Sequence, residues 1–404
     1  MWHMEAHHRA RWPRLHPMGS TQQTHQAPTT AELQTLWALL GDLGRAATHW
    51  RFEVAPNPCV GAAVVSRGQE VARGFHQRWG GPHAEAAALA AAAESAVPAE
   101  HWDTMVVTLE PCSSRGKTPP CVEAIRSTGI KRLVVGAVDP DVRHRGAGLK
   151  KLEEAGVEVI VLEGAAPLED VCPHFLAWSG PDRLRRPHPW TIAKWAQTRS
   201  GHLMPPANSD NNRWISCGAS RDEVLELRGG VDAVVTGVGT VLMDDPRFTV
   251  RPPGDTEMRP LRVVLDSYLR TPPEYALLRQ TPGPGVGPVH ILCQGGADVG
   301  RWRALEDAGA VVTGLPAGET DHVSLLDAQA WLWEQGARRV LLEAGPTLLS
   351  RYLDRDLVDQ VRVYTGSAIG GEGVTMAAWM ASANFAQRLD RECGADSVLE
   401  AFSG

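Results

Sequence analysis

Short apolar runs alternate with longer amphipathic segments along most of this chain. Leu33, Leu36, Leu39 and Leu40 recur at helical spacing behind Thr30-Ala31-Glu32, which predicts a capped amphipathic helix. Val60–Val65 and Glu70–Gly74 predict a hairpin across Arg67-Gly68. Pro82 then precedes an alanine-rich segment from His83 to about Ala93, which reads as a helix. Val106–Leu109 predicts a short buried strand, and Cys121 opens a further helix with Val122 and Ile125 inward and Gly129 at its end. Two apolar strands, Leu133–Val138 and Val157–Leu162, flank a helix from Gly148 to Ala155. Strand and helix in alternation predict an α/β layered domain with a largely parallel sheet.

From about Glu163 to Pro189 prolines and charges accumulate, the mark of a domain boundary. Cys172, Phe175 and Trp178 within it predict a short packed helix. The alternation then restarts. Val234–Thr236, Leu261–Leu265, Val289–Leu292, Ala310–Val312, Val340–Leu342 and Val361–Tyr364 are strand-like, so a second α/β domain follows the first, without an internal repeat. Residues 1–30 hold five of the fifteen histidines, with Arg9, Arg11 and Arg14 against a single acid, Glu5. They lack the apolar core of a signal peptide and read as a disordered, solvated tail; metal sequestration by the histidines is the alternative.

Composition narrows the function classes. At 404 residues two domains are the natural expectation. A net charge of −7 argues against a general nucleic-acid binder, which carries a basic surplus. No apolar run approaches the ~18 residues of a membrane span. Seven cysteines are an odd number, and Cys59, Cys172, Cys217, Cys293 and Cys393 are scattered, which points to a reducing, cytoplasmic compartment and not to a disulfide framework.

Cys112 and Cys121 stand apart from those five. Pro82-His83-Ala84-Glu85 is answered about thirty residues later by Pro111-Cys112 and Pro119-Pro120-Cys121. One imidazole and two thiolates are zinc ligands of the usual chemical type, and three protein ligands leave a fourth position for water. The ion brings the acidity of that water toward ~7. Glu85, two residues from the ligand His83, can carry a proton from the water to a leaving amine. The pattern is that of zinc deaminases. A purely structural site would want a fourth ligand and no carboxylate beside it.

Three segments of the second half carry phosphate-binding logic. Thr236-Gly237-Val238-Gly239-Thr240 follows a strand and can turn backbone N–H groups toward an anion. It runs directly into Val241–Arg251. Glu343-Ala344-Gly345-Pro346-Thr347 leaves a strand and enters a helix, whose N-terminus favours anions. Each alone is equally consistent with a turn or a cap. Asp139-Pro140, followed by Gly146 and Gly148, leaves a strand of the first half, where sites form in open α/β sheets.

Eight residues separate Cys112 from Cys121, where the common deaminase motif has two. With that longer loop, Pro56-Asn57-Pro58-Cys59-Val60-Gly61 upstream and Thr108-Leu109-Glu110-Pro111-Cys112 leading in, the chain resembles the bifunctional riboflavin-biosynthesis deaminase/reductases of the RibD type. The resemblance covers roughly residues 31–400. It implies a cytidine-deaminase-like three-layer α/β domain over residues 31–165, a linker over 166–189, and a dihydrofolate-reductase-like α/β domain over 190–404. It implies zinc on His83, Cys112 and Cys121 with Glu85 as catalytic residue, and NADPH as the second cofactor. The substrate it implies is a pyrimidine ribose phosphate, first deaminated at C2 and then reduced from ribosyl to ribityl. A homo-oligomer is also implied.

Matching motif by motif, the resemblance places the cofactor at Ala196, Trp214, Thr240, Asp244, Ser267 and the run Gly345, Pro346, Thr347, Leu348, Leu349, Ser350, Arg351. It places the substrate at Asn212, Arg228, Phe248, Arg251 and Glu343. Arg228 and Arg251 suit a ribose 5-phosphate, since guanidinium forks bind phosphate bidentately. The chain departs from the family at three points: Thr198-Arg199-Ser200-Gly201 lacks an aspartate, Ala344 replaces a glycine, and Ser114 replaces a histidine. Two other readings stay open: a deaminase whose second half has lost hydride transfer and serves binding or assembly, and a deaminase of another base.

Overall fold

The computed structural model describes residues 28–180, 187–207, 214–250, 259–318 and 322–403. The first thirty-residue tail therefore lies almost wholly outside the described residues, as do Asn212 and Arg251. The chain divides into two compact units, Met1–Gly180 and Pro181–Gly404.

The first unit opens with α1 (Thr30–Ala47), capped by Thr29, whose hydroxyl accepts the Glu32 N–H. The cap lies one residue ahead of the expected Thr30 and pairs with Glu32 in the capping-box spacing. After the short α2 (Arg51–Val54) come β1 (Gly61–Ser66) and β2 (Gln69–Phe75). Arg67 and Gly68 both have positive φ, 51° and 76°, the geometry that joins two twisted strands through a two-residue turn. Helix α3 (Ala84–Ala93), β3 (Thr104–Val107), α4 (Cys121–Arg126), β4 (Arg132–Val135), α5 (Ala147–Glu154) and β5 (Glu158–Val161) complete the layers.

Their sheet runs β2-β1-β3-β4-β5. It is mixed and not largely parallel as expected: β1 pairs antiparallel with both β2 and β3, and only β3-β4-β5 are parallel. The hairpin forces this, because its tight turn reverses the chain. Strand residues alternate between two cores. Ala63, Val65, Val106, Val134 and Ile160 pack with Leu36, Leu40 and Leu43 of α1. Ala62, Val64, Met105, Val107, Leu133 and Val135 pack with α3, α4 and α5. Each aliphatic side chain fully buried in this way contributes about 1.5–3 kcal/mol.

The alanine content of α3 has a packing reason. Ala84, Ala88 and Ala92 form a fully buried stripe, and a Cβ on Gly74 of β2 would lie 2.1 Å from the Ala88 nitrogen. The helix thus rests on the backbone of the sheet. Short helices α6 (Leu168–Val171) and α7 (Pro173–Trp178) follow. Ala166, Leu168, Val171 and Cys172 join the core under α3, so this stretch packs as part of the first unit.

The second unit contains β6 (Trp190–Gln197), β7 (His202–Met204), α8 (Gly218–Gly229), β8 (Ala233–Gly237), α9 (Val238–Asp244), β9 (Leu261–Leu265), β10 (Val289–Gln294), α10 (Val299–Asp307) and β11 (Val311–Leu315). It continues with α11 (Leu325–Glu334), β12 (Arg339–Leu342), α12 (Pro346–Leu353), β13 (Gln360–Thr365), β14 (Glu372–Thr375), α13 (Ala377–Ser382), β15 (Phe385–Cys393) and β16 (Asp396–Ser403). Nine strands form one sheet, β11-β10-β9-β8-β12-β6-β13-β16-β15. The seven from β11 to β13 are parallel, and β16 and β15 close the edge antiparallel. Every strand expected from the apolar runs falls on one of these seven. The terminal β15–β16 hairpin was not expected. Along β15 half-buried and exposed positions alternate, with Arg388, Asp390 and Glu392 among them, so no apolar run marks it.

Arg262 of β9 is fully buried. Its guanidinium donates to the carbonyls of Gly287 (2.9 Å), Arg247 (3.1 Å) and Leu277 (2.9 Å).

Candidate functional site

In the first unit three ligating atoms converge. His83 stands at the N-cap of α3, Cys112 on the corner after β3, and Cys121 at the first position of α4. The Cys112 and Cys121 sulfurs lie 3.5 and 3.4 Å from the His83 Nδ1, and the three ligating atoms are all within 4.8 Å of one another. A tetrahedral zinc with ordinary Zn–N and Zn–S bonds separates its nitrogen and sulfur ligands by about 3.5 Å, so the set fits the ion. The donor chemistry fits as well. The Cys112 thiol is held low, chiefly by the hydrogen bond from Cys121, with His83 adding to it. Cys121, as the donor of that bond, is pushed up. The Cys121 backbone N–H also points at the Cys112 sulfur, 3.3 Å away.

Glu85 lies in the first turn of α3 and is 3% exposed. Burial pushes its carboxyl up, and it is in hydrogen-bond contact with Cys121. The carboxylate therefore sits beside the ligand set, shielded from bulk water.

A second layer stands behind His83 and was not anticipated. His76 Nδ1 is 2.9 Å from the Pro82 carbonyl, which can only accept, so that nitrogen carries the proton. Its Nε2 then accepts from the Asn57 side-chain amide at 3.1 Å. The Asn57 carbonyl in turn accepts from Nε2 of His174 on α7, 2.9 Å away. The His76 and His83 rings meet edge-on, 5.2 Å between centroids. The Pro56-Asn57-Pro58-Cys59 motif was the only sequence signal for this chain of contacts; the histidines stood alone in sequence.

In the second unit the expected residues gather at the carboxyl ends of the parallel strands. Thr240 of α9 accepts the Gly345 N–H at 2.9 Å, joining the loop after β8 to the loop after β12. A Cβ on Gly237 would meet Leu348 at 3.2 Å, so α12 packs closely on that first loop. Within the run 345–351, Leu348 and Leu349 are core residues; the Leu349 N–H donates to the Gly345 carbonyl at 3.1 Å, so of the two only Leu348 can offer a first-turn N–H to a ligand. Pro346, Thr347 and Ser350 share that helix, and burial lowers Arg351. Asp244 ends α9. The Ser267 hydroxyl accepts the Val323 N–H at 3.0 Å. Trp214 is half-exposed with the Arg221 guanidinium 5.1 Å over its ring. Ala196 on β6 stands opposite Tyr364 on β13.

On the substrate side the structure brings Arg228, Phe248 and Glu343 together. Arg228 Nε and Nη2 donate to the two Glu343 oxygens at 2.6 and 2.9 Å, and its guanidinium lies 5.3 Å over the Phe248 ring. The bidentate edge of Arg228, expected to grip a phosphate, is engaged by this carboxylate. Lys194 of β6 completes the cluster, 3.9 Å from Glu343. Burial would raise the Glu343 carboxyl, but Arg228, with Lys194 adding, outweighs it and holds Glu343 low. Lys194 is itself lowered by burial. A lysine between Ala193 and Trp195, both buried, was the signal for it. Ser200, which stands where an aspartate was expected, accepts the Gly370 N–H at 2.9 Å.

Residues 45–137 match the cytidine and deoxycytidylate deaminase zinc-binding region, and residues 189–388 match the RibD C-terminal domain. The riboflavin biosynthesis protein RibD of Aquifex aeolicus is 35% identical over 323 residues, 80% of this chain and 84% of that protein. RibD of Escherichia coli K12 is 33% identical over 340 residues, 80% and 86% of the two chains. Among solved structures, Acinetobacter baumannii RibD (form 2) superposes with a TM-score of 0.62 at 27% identity, covering 92% of this chain and all of that one. A diaminohydroxyphosphoribosylaminopyrimidine deaminase/5-amino-6-(5-phosphoribosylamino)uracil reductase of Thermotoga maritima gives 0.61 at 26% identity, over 91% and 99%.

Proposed function

The chain belongs to the RibD family of bifunctional riboflavin-biosynthesis deaminase/reductases, and from that premise we propose how its residues divide the work. The first unit hydrolyses the C2 amine of 2,5-diamino-6-(5-phosphoribosylamino)pyrimidin-4-one, releasing ammonia. The second, over residues 190–404, converts the ribosyl group of the product to ribityl. The observation that carries this reading is the convergence of His83, Cys112 and Cys121 beside a buried Glu85.

His83, Cys112 and Cys121 would hold the zinc, which when bound would make a water acidic enough to lose a proton near neutral pH. Glu85 takes that proton and returns one to the departing nitrogen. Its burial keeps bulk water from competing and raises its affinity for the proton in transit. The layer of His76, Asn57 and His174 fixes the turn that enters α3, and so the direction of the His83 ring.

In the second unit a bound NADPH would be the hydride source for C1′ of the sugar. Ala196, Trp214, Thr240, Asp244, Ser267 and Gly345–Arg351 form the cofactor wall. Arg228, Phe248 and Glu343 form the substrate wall, and the family motif assigns Asn212 and Arg251 to the substrate as well. Glu343, held ionised by Arg228 and Lys194, accepts hydrogen bonds from the sugar and does not donate the proton of the reduction. Arg251 is the phosphate clamp in this arrangement, since the Arg228 fork is engaged. None of the seven cysteines is in a disulfide, which supports a cytoplasmic location, and no helix among the described residues is long and apolar enough to cross a membrane. A homo-oligomer is the assembly that the family resemblance implies.

The test is a coupled assay on zinc-loaded protein with the diaminopyrimidine ribose phosphate. Ammonia release followed by stoichiometric NADPH oxidation is expected. Glu85→Gln is expected to lose deamination by at least about a hundredfold while retaining zinc and still consuming NADPH on the deaminated intermediate. Deamination without NADPH oxidation would reduce the second unit to a binding module.

A further inference from the structure

We infer that Glu110 is a positioning residue of the first unit: its carboxylate ties the loop Asp139–Gly146 to the corner that carries Cys112, and so sets where the pyrimidine rests against the metal site. This rests on the deaminase reading above.

Glu110 lies two residues before Cys112, leaves the carboxyl end of β3, and is 7% exposed. Its own N–H donates to the Ala137 carbonyl at 2.9 Å, where the neighbouring parallel strand β4 has just ended. Its side chain accepts three backbone N–H groups. Oε2 takes those of Asp139 (3.1 Å) and Gly146 (2.8 Å), and Oε1 takes that of Gly148 (2.9 Å). One carboxylate thus holds both ends of the loop together with the first turn of α5. Gly146 caps that helix with φ of 75°, and a Cβ on Gly148 would lie 2.1 Å from the Pro111 carbonyl oxygen. The helix therefore meets the metal corner backbone to backbone, with no side chain between them. Lys151, one turn further on, donates to the Ser113 carbonyl at 3.0 Å, on the other side of Cys112.

The loop has its own internal order. Asp139 Oδ1 accepts the Asp141 N–H at 2.9 Å, and Asp141 accepts the Arg143 N–H at 2.9 Å. It is a formed wall, hung from one carboxylate at the carboxyl ends of adjacent parallel strands, where ligands of open α/β sheets bind. None of the three bonds reaches His83, Cys112 or Cys121 side chains. The chemistry of the metal corner and the placement of the wall are therefore separable.

Glu110→Gln tests this. The amide has the same shape but one acceptor oxygen, so its NH2 group must face at least one of the three N–H donors. The expected result is full zinc stoichiometry, a KM for the diaminopyrimidine ribose phosphate raised roughly tenfold, and a kcat changed much less. Hydrogen exchange should accelerate in peptides covering residues 139–150 and stay unchanged in those covering α3. Gly148→Ala, whose Cβ would lie 2.1 Å from the Pro111 carbonyl oxygen and 3.3 Å from the Glu110 Oε1, crowds the same carboxylate and should also raise KM. Unchanged KM and unchanged exchange at 139–150 would overturn the inference. So would zinc loss or accelerated exchange in α3 in step with the KM change, since Glu110 would then be holding the corner itself. If the parent enzyme releases no ammonia, the deaminase reading fails, while the exchange arm still decides whether Glu110 holds the loop.

Discussion

His174 makes the first unit sensitive to mild acid, and the size of the effect follows from its surroundings. The ring is 4% exposed. Burial lowers its pKa from 6.5 to about 4; the bond to the Asn57 carbonyl works against this, and Arg51 works with it. The unfolded chain binds a proton near 6.5 and the folded unit does not until about 4. The contribution is therefore fully present above 6.5 and is lost as pH falls through that window. A difference of this size corresponds to about 3 kcal/mol between the two ends, at ~1.4 kcal/mol per unit. His174→Gln keeps a donor for Asn57 and removes the titration. Hydrogen exchange of the β3 and β4 amides, measured from pH 7 to pH 4, reads the opening free energy of this unit. The parent is expected to lose about 3 kcal/mol more than the variant across that range. Any fixed cost of the substitution, and any zinc release common to both proteins, cancels in the difference. A parent-minus-variant difference that stays flat with pH would refute the reasoning.

Two further perturbations separate the units. Glu343→Gln strands the Arg228 and Lys194 cations, and breaking a buried pair in this way costs about 3–5 kcal/mol; NADPH oxidation should vanish and the second unit should melt earlier in calorimetry, with ammonia release retained. Gly74→Ala places a methyl 2.1 Å from the Ala88 nitrogen and lifts α3 from the sheet, at a cost of about 3 kcal/mol; thermal stability and zinc stoichiometry should fall together, because His83 begins that helix.

The metal site was legible because its residues announce themselves by type: a histidine, a carboxylate two residues on, and two cysteines behind prolines rarely occur together except around a metal ion. The parallel core of the second unit was legible for a similar reason, as strands buried on both faces read as apolar runs. What stayed hidden depends on partners far apart in the chain. Nothing near Arg228 signals that its fork meets a carboxylate 115 positions later. His174 and Asn57 are 117 positions apart, and each alone looks like an ordinary polar residue. The mixed order of the first sheet follows from one tight turn, Arg67-Gly68, whose effect on strand direction outweighs the alternation of helix and strand further on. The last hairpin shows the opposite limit: β15 is a half-solvated edge strand, and charge on its outer face masks its pattern.

Arg262 has a consequence for how far three separate segments of the second unit can move apart. Its guanidinium, with pKa lowered to about 10 by burial, is shared among the carbonyls of Arg247, Leu277 and Gly287. Any one of these segments that swings outward strips a buried cation of an acceptor, and the other two must bear the loss. Phe248 follows Arg247 directly, so the segment that carries it is tied to Leu277 and Gly287 through a single side chain of β9.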